Sequence, residues 1–160
     1  MMFMQMAEPD TYTWRDRHLG RLLLELSKDF QSRSIARLRE LGYDDITFAY
    51  ISVIAATSVD GTRLTDIAKS LDISKQAAGQ MVKELIGKGY LTRQADSSDG
   101  RATLVTFTEK GRKLLIDGKE GIDGIETLYA QLISEERFTA LRDVLALLLE
   151  RTREQSQDEL

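Results

Sequence analysis

Length, composition and charge limit this chain to a few classes of protein. It has 160 residues, 42% of them hydrophobic and 30% charged, with a formal net charge of −4. These values predict one soluble domain with its own core or a subunit that shares one, and a second independent domain does not fit. Cysteine is absent, which excludes disulfides, thiolate metal sites and thiol-based redox sensing. The opening MMFMQM lacks the features of a signal peptide and no stretch has the apolar length of a membrane span, so we expect a cytoplasmic protein.

The first third of the chain predicts two helices. Residues 1–12 lack a helical period and are expected to form a frayed arm. Thr13 followed by Asp16 resembles a capping box and predicts a long helix over residues 13–41, ended by Gly42. Its apolar positions are Leu19, Leu22, Leu23, Leu26, Phe30, Ile35 and Leu38. Asp44 or Asp45 is expected to cap a second helix over 46–58, which is apolar nearly all round and therefore has to be buried on several sides.

Two short helices are predicted in the middle of the chain. Thr62 is the expected N-cap of the first, and Ser74 of the second. The second helix is expected to end at Gly87 and Gly89. The apolar positions recur at helical spacing, at Leu64, Ile67, Ala68 and Leu71, and again at Ala78, Met81, Val82 and Leu85. Because so few residues separate these helices, we expect them to cross steeply, as in a helix-turn-helix.

A small β-hairpin is predicted directly after these helices. Residues 90–93 and Thr103–Phe107 are β-branched and aromatic runs that suit paired strands, and the polar segment 94–102 between them suits a hairpin tip. Helix, turn, helix, strand, loop, strand is the order of a winged helix. The predicted fold class is therefore mainly α with a small β-hairpin wing.

The last third of the chain predicts two more helices. Thr108 is expected to cap the first, over residues 108–133. Glycines at 118, 121 and 124 each cost about 1 kcal/mol against alanine in a helix, so we expect a bend or weakening there, with a real break as the alternative. Ser134 starts the last helix, over 134–152, and the polar residues 151–160 are expected to fray. The apolar stripe of this last helix is too large to remain exposed to solvent on a single helix. It consists of Phe138, Leu141, Val144, Leu145, Leu148 and Leu149.

Residues 64–115 resemble the core of the MarR family of bacterial transcription regulators. The most diagnostic piece is the wing, where that family usually has Asp-Pro-x-Asp-x-Arg, a strand, and Leu-Thr-x-x-Gly. Here Asp96, Asp99 and Arg101 fit the first motif, and the segment from Phe107 to Gly111 fits the second. The proline is replaced by serine, so we expect a less rigid loop.

The resemblance implies a homodimeric regulator of transcription that binds double-stranded DNA. Helices 13–41 and 134–152 would form the dimer, 46–107 the winged helix-turn-helix, and 108–133 the connecting helix. A two-fold dimer places its recognition helices in successive major grooves about 34 Å apart, so the operator is expected to be a pseudo-palindrome. The expected dimer contacts are Leu19, Leu23, Phe138, Leu141, Leu145 and Leu148.

A small aromatic or anionic effector is a further implication of the resemblance. In MarR-like proteins such ligands often lie between the DNA-binding region and the dimer helices, and binding changes the spacing of the two DNA-binding regions. By that analogy the protein would be a repressor released by its ligand. The lining would come from Leu22, Leu26, Phe48, Ile51 and Leu115.

The expected DNA contacts lie on the second short helix and in the wing. Gln76 and Gln80 are the expected base readers, because a carboxamide can pair with adenine N7 and N6 together. Lys75 and Lys83 suit phosphate contacts. Arg101 is expected to enter a minor groove, oriented by Asp99. The full set is Ser74, Lys75, Gln76, Gly79, Gln80, Lys83, Arg93, Asp99 and Arg101.

The distribution of charge agrees with this interpretation. Residues 61–113 contain ten Lys and Arg against six Asp and Glu, whereas the rest of the chain contains twelve against twenty. A basic patch on an acidic protein is typical of a local DNA-facing surface. Chance can also produce such a difference, and polar residues on a helix are most often a solvated face. The charge therefore matters because it coincides with the motif.

Two rival functions use the same residues differently. A winged helix used for protein–protein assembly predicts a face without useful basic charge. An enzyme has little chemistry available, since the chain has no cysteine, a single histidine at His18, no glycine-rich phosphate loop and no metal-ligand spacing. We therefore expect no catalytic activity, no cofactor and no metal, and we expect His18 to be a structural or surface residue.

Overall fold

Helices and a small sheet follow one another in the order of a winged helix. The computed structural model describes residues 18–95 and 103–158. The elements are α1 (Leu19–Glu40), α2 (Phe48–Ala55), β1 (Thr62–Arg63), α3 (Leu64–Ser70), α4 (Lys75–Gly87), β2 (Leu91–Ala95), β3 (Thr103–Phe107), α5 (Glu109–Ile133) and α6 (Glu135–Asp158). The mainly helical fold with a β wing is confirmed. Among the described residues no helix combines the length and apolar character needed to cross a bilayer.

The chain divides into two compact units, Met1–Leu114 and Leu115–Leu160. The first unit contains the winged helix, and its core is built from the apolar stripes of the short helices and the inward residues of the sheet. The largest fully buried side chains in it are Tyr90, Ile46, Ile67, Leu85, Leu91, Val53 and Val82. Burying an aliphatic side chain of this size contributes roughly 1.5–3 kcal/mol, so this cluster is what holds the short helices in place.

Helix α1 begins later than predicted. Its N-cap is His18, whose Nδ1 accepts a hydrogen bond from the Arg21 N–H at 3.2 Å, and its first helical residue is Leu19. The predicted capping residues at 13 and 16 lie outside the described part of the chain. The end agrees with the prediction, because Leu41 is the C-cap and Gly42 takes a φ of +87°. A left-handed residue after a helix favours glycine.

The predicted cap of the second helix is wrong. Helix α2 starts at Phe48 with Thr47 as its N-cap, and neither Asp44 nor Asp45 caps it. Asp45 instead binds a residue that is distant in the sequence. Its Oδ1 accepts a hydrogen bond from the Tyr90 hydroxyl at 2.7 Å. A buried phenol needs a partner, and this tertiary contact outweighs the local capping preference.

Helix α2 is also shorter and more exposed than predicted. It ends at Ala55 with Ala56 as its C-cap, before residue 58. Val53 and Ile54 are buried, but Phe48 is 42% exposed in the chain. The expected burial therefore holds for Val53 and Ile54, and the helix is not buried on all sides.

A third strand joins the predicted hairpin. The sheet has the order β1–β3–β2, with all neighbours antiparallel, and β1 pairs Thr62 with Val105. The prediction that Thr62 caps a helix is therefore wrong. Arg63 is the N-cap of α3, where its side chain does not make the capping hydrogen bond within the described part of the chain. The Thr62 hydroxyl accepts a hydrogen bond from the Ser58 N–H at 2.8 Å.

Helix α5 runs unbroken past all three of its central glycines. The Thr108 hydroxyl accepts a hydrogen bond from the Gly111 N–H at 3.0 Å, which confirms the predicted cap. The helix then continues through Gly118, Gly121 and Gly124 to Ile133. The predicted continuation is confirmed, and the alternative of a real break is wrong.

In the second unit, the end of α5 and helix α6 are joined by a tight turn. Ser134 has a φ of +86°, and α6 begins with Glu135. The rings of Tyr129 and Phe138 lie 6.4 Å apart across this turn. Helix α6 extends to Asp158, so the expected fraying from residue 151 is wrong for residues 151–158. Glutamate, arginine and glutamine are strong helix formers, and Arg151 pairs with Glu154 at 3.0 Å.

Candidate nucleic-acid interface

Helix α4 separates an apolar face from a polar one. Ala78, Val82 and Leu85 are completely buried, as their spacing predicts. The side chains on the other face are exposed: Lys75, Gln76, Gln80 and Lys83. Because the buried residues fix the rotation of the helix, these four polar side chains are held on the outside of the first unit.

The start of α4 is well formed for contact with an anion. The Ser74 side chain accepts from the Ala77 N–H at 3.1 Å, which confirms the predicted cap. The preceding turn is closed by Asp72 at a φ of +52° and by a hydrogen bond from the Ile73 N–H to the Ala68 carbonyl. No acidic residue occupies the first turn of α4. The positive end of the helix dipole is therefore not neutralised within its own first turn.

Gly79 is half-buried beside the polar face of α4. A Cβ added there would lie 3.6 Å from Cδ2 of Leu64 on α3, which is an ordinary van der Waals distance, so an alanine would fit. The packing of α3 against α4 therefore does not require glycine at this position, and the role of Gly79 in close approach to DNA stays a prediction.

The wing is described only at its base. Strands β2 and β3 pair from Leu91 with Phe107 to Ala95 with Thr103. Arg93 is exposed and stands opposite Val105 in this register. Asp99 and Arg101 lie outside the described residues, so the structure neither supports nor opposes the roles expected for them.

The base of the wing is held by a cluster that sequence reasoning missed. Tyr90 is 1% exposed, and its hydroxyl donates to Asp45. The Lys88 ammonium lies 3.5 Å from the same carboxylate, and the Lys110 ammonium lies 4.0 Å from the centroid of the Tyr90 ring. Lys110 also donates to the Lys88 carbonyl at 3.0 Å. This cluster ties the loop before α2, the end of α4 and the start of α5 to Tyr90, the residue that precedes β2.

Two pKa values report the balance of forces in this cluster. Burial raises the pKa of the Tyr90 hydroxyl first, and the hydrogen bond to Asp45 raises it further. Burial alone would also raise the pKa of Asp45. The Tyr90 hydroxyl and the charges of Lys88 and Lys110 outweigh that effect, so the pKa of Asp45 lies below its ordinary value. Asp45 is therefore charged at neutral pH, and its partners stabilise the charge.

A second polar chain reaches the exposed face of α4. The Gln80 Nε2 donates to Oε1 of Glu84 at 2.7 Å, and the Tyr50 hydroxyl on α2 donates to Oε2 of the same carboxylate. The Tyr50 hydroxyl and then the Gln80 amide lower the pKa of Glu84, and Glu84 in turn raises the pKa of Tyr50. Sequence reasoning identified Gln80 but not its two partners, because the link to Tyr50 joins residues far apart in the chain.

The residues predicted for the dimer and for the ligand are mostly exposed in the chain. In the first unit Leu19, Leu22 and Leu23 are 58%, 54% and 39% exposed. Leu26 and Phe48 are each 42% exposed, while Ile51 is half-buried. In the second unit Leu141 and Leu148 are exposed, and the half-buried side chains are Leu115, Phe138 and Leu145.

Comparison with known families agrees with the geometry of this site. A sequence profile described as MarR family matches residues 44–102, which contain α2, the helix-turn-helix and the first wing strand. Over these residues the chain is similar to the MarR family. Members of this family are transcriptional regulators and not enzymes.

A curated relative supports the same assignment over part of the chain. An uncharacterized HTH-type transcriptional regulator, YdgJ of Bacillus subtilis (strain 168), is 32% identical over 83 residues. The alignment covers 51% of this chain and 50% of the relative. This chain thus spans about half the length of the curated relative that it matches.

Solved structures share the fold. The transcriptional repressor CouR, bound to a 23-mer DNA duplex, has a TM-score of 0.69 and 24% identity, over 89% of this chain and 99% of CouR. CouR from Rhodococcus jostii RHA1 bound to p-coumaroyl-CoA has a TM-score of 0.66 over 81% of this chain and 90% of that one, again at 24% identity. The S. aureus MepR–DNA complex has a TM-score of 0.65 and 23% identity, over 84% and 98%. At these identities the likeness establishes the fold alone.

Proposed function

We propose that this protein is a homodimeric transcriptional regulator that binds double-stranded DNA at a pseudo-palindromic operator and represses transcription until a small ligand releases it. The observation that carries DNA binding is the exposed polar face of α4. Lys75, Gln76, Gln80 and Lys83 are exposed there, opposite a face that is completely buried. An amphipathic second helix of a helix-turn-helix is the element that enters a major groove.

The side chains of α4 divide into two roles. Gln76 and Gln80 are one helical turn apart and supply carboxamides for base edges. Lys75 and Lys83 supply ammonium groups for phosphates, and the open start of the helix at Ser74 can receive another phosphate. Phosphate contacts set affinity and position, and the glutamines set the preferred sequence.

The wing supplies the second part of the DNA contact. Arg93 is exposed on β2. In the proposed complex Arg101 enters the minor groove beside the site of α4, with Asp99 orienting its guanidinium. Relatives of the same fold support DNA as the partner, since CouR and MepR were both solved bound to DNA.

Homodimer formation follows from apolar side chains that the single chain leaves exposed. On α1 these include Leu19 and Leu23, and on α6 they include Leu141 and Leu148. Leucines at helical spacing on a solvent-facing side are typical of a subunit interface. A two-fold dimer buries the same side chains on both copies.

The proposal also includes a small effector. CouR was solved with p-coumaroyl-CoA, an aromatic and anionic ligand. In the first unit of this chain Leu22, Leu26 and Phe48 offer exposed apolar surface that suits an aromatic group. We expect aromatic carboxylates or their thioesters to raise the melting temperature and to weaken DNA binding. If a screen of such compounds changes neither the melting temperature nor DNA binding, the proposed effector has no support.

DNA binding is tested by fluorescence anisotropy with duplexes from the gene's own upstream region, at two salt concentrations. Lys83→Ala should weaken binding to all sequences and reduce the salt slope by about one, because one phosphate contact is lost. Arg101→Ala should weaken binding about tenfold or more and also reduce the slope. Lys119→Ala is the matched control, because Lys119 is exposed on α5 and pairs with Asp123.

Two results would contradict the proposal for DNA. One is the absence of binding at the lower salt concentration, which would favour the protein–protein role of a winged helix. The other is equal affinity and an equal salt slope for Lys83→Ala, Arg101→Ala and the control.

The dimer is tested by sedimentation equilibrium. Leu148→Glu should shift the protein towards monomer, because it places a charge among apolar side chains that a partner would cover. Ala146→Glu is the control, since residue 146 is exposed on the opposite side of α6. A wild-type chain that sediments as a monomer would refute this part of the proposal.

A further inference from the structure

The side chain of Gln80 is held in place before any DNA is bound. Its Nε2 donates to Oε1 of Glu84 at 2.7 Å, one turn further along α4. The second oxygen of Glu84 accepts a hydrogen bond from the Tyr50 hydroxyl. Tyr50 belongs to α2, so the three side chains form a chain of hydrogen bonds from one helix to the exposed face of another.

Glu84 determines which end of the Gln80 amide faces it. A carboxylate can only accept hydrogen bonds, so the NH₂ end of Gln80 must point towards Glu84 and the carbonyl oxygen must point away. The pKa of Glu84 is lowered by Tyr50 and then by Gln80, which keeps this group charged at neutral pH. The orientation of Gln80 thus follows from the chemistry of its neighbour.

Tyr50 makes the arrangement rigid, because it brings a second helix into contact with Glu84. It is half-buried, and the Lys88 ammonium lies 5.8 Å from the centroid of its ring. An exposed glutamine normally loses rotamer entropy when it binds, and a side chain that is already held loses less. Functional groups that are locked by neighbouring hydrogen bonds are also more selective for their partners.

We propose that Glu84, held by Tyr50, is a positioning residue that makes Gln80 select a base with an amino group on its major-groove edge. The outward oxygen of Gln80 accepts a hydrogen bond from adenine N6 or cytosine N4, and its remaining N–H can donate to adenine N7. Guanine and thymine present an oxygen at the equivalent place, which would repel the glutamine oxygen. This inference rests on the proposed DNA binding through α4.

The test is selection of preferred sequences from a pool of randomised duplexes, with the full-length protein. Gln80→Ala identifies the base pair that Gln80 reads. A single specific contact gives about tenfold preference there, and Gln80→Ala should abolish it. Glu84→Gln should reduce the preference at the same base pair to about twofold, because an amide at residue 84 permits either orientation of Gln80. Preferences elsewhere in the operator should stay unchanged.

Three further variants separate positioning from other effects. Tyr50→Phe leaves every charge in place and should reduce the same preference by about threefold, since it removes only the support for Glu84. In the Gln80→Ala background, Glu84→Gln should cause no further change at that base pair, because the two residues act through one contact. Glu120→Gln removes an equal charge from α5 and should leave all preferences as they are.

The outcomes distinguish this inference from the proposed function. If the wild-type protein selects a motif and Glu84→Gln keeps the full preference at the Gln80 position, the positioning role is refuted while DNA binding stands. If Glu84→Gln alters all positions equally, Glu84 acts only through its charge and the inference is again refuted. If the wild-type protein selects no motif, both the proposed function and the inference fail.

Discussion

Replacing Gly111 by alanine should destabilise the protein far more than the same change elsewhere in α5. Gly111 is buried in the first turn of this helix. A Cβ added there would overlap the Tyr90 carbonyl oxygen and lie only 3.1 Å from both the Tyr90 carbonyl carbon and Cδ1 of Phe107. Heavy atoms in contact prefer about 3.5–4.0 Å, so the strand or the helix has to move.

The expected cost is the sum of three effects. Overpacking of this kind costs about 1–3 kcal/mol. The Tyr90 carbonyl accepts bonds from the N–H and hydroxyl of Thr108, both at 3.1 Å, and losing or straining them costs about 1 kcal/mol each. The better helix propensity of alanine returns about 1 kcal/mol. The free energy of unfolding should therefore fall by about 2–4 kcal/mol, with a melting temperature lower by about 5–12 °C.

Urea denaturation at a fixed protein concentration measures this change. Gly124→Ala is the matched control, because Gly124 is exposed on the same helix and an added Cβ would meet no atom of residues 18–95 or 103–158 within 4 Å. The control should be stabilised by up to about 1 kcal/mol. The reasoning is refuted if Gly111→Ala is as stable as the control, since the close approach of α5 to the wing would then not depend on glycine.

Two other predictions concern groups that hold the same unit together. Ser74→Ala should lower the free energy of unfolding, measured without DNA, by about 1 kcal/mol, because the bond from the Ala77 N–H to the serine hydroxyl is lost; Ser74→Thr should retain most of it. Asp45→Asn should weaken the pH dependence of stability. The pKa of Asp45 is lowered in the fold, so its charge contributes stability above its unfolded value of 3.8, and this is lost as pH falls below that value. Unfolding followed from pH 7 to pH 3 should show a smaller acid-linked loss in Asp45→Asn than in Asp44→Asn, and equal losses would contradict the role given to the Tyr90 contact.

Local signals predicted the helix-turn-helix well, because they depend on neighbouring residues only. Ser74 caps α4 as expected, and the glycines at 42 and 89 take the positive φ that ends a helix. The spacing of Ala78, Val82 and Leu85 identified the buried face, and therefore also the exposed one. Each of these features is set within about two turns of helix, where sequence pattern and structure are directly linked.

The predictions of helix caps were wrong where the residue instead bonds to a partner that is distant in the sequence. Thr62 has the side chain of a helix cap, but its backbone pairs with Val105, far along the chain. Asp45 also has a side chain that suits a helix cap, but its carboxylate accepts a hydrogen bond from the buried Tyr90 hydroxyl. Hydrogen bonds to buried groups contribute more to the free energy of folding than an N-cap in an exposed loop. No local sequence pattern predicts such long-range bonds.

Local patterns were enough to predict a winged helix-turn-helix that resembles the MarR family and to identify the outward face of α4, because helical periodicity, caps and the wing motif depend on neighbouring residues. How that face is held depends on contacts between distant parts of the chain. Tyr50 meets Glu84 beside Gln80 because α2 packs near α4, and Gly111 must lack a side chain because α5 approaches the Tyr90 carbonyl. Both contacts join residues distant in the chain, so they exist only once the core has brought the helices together.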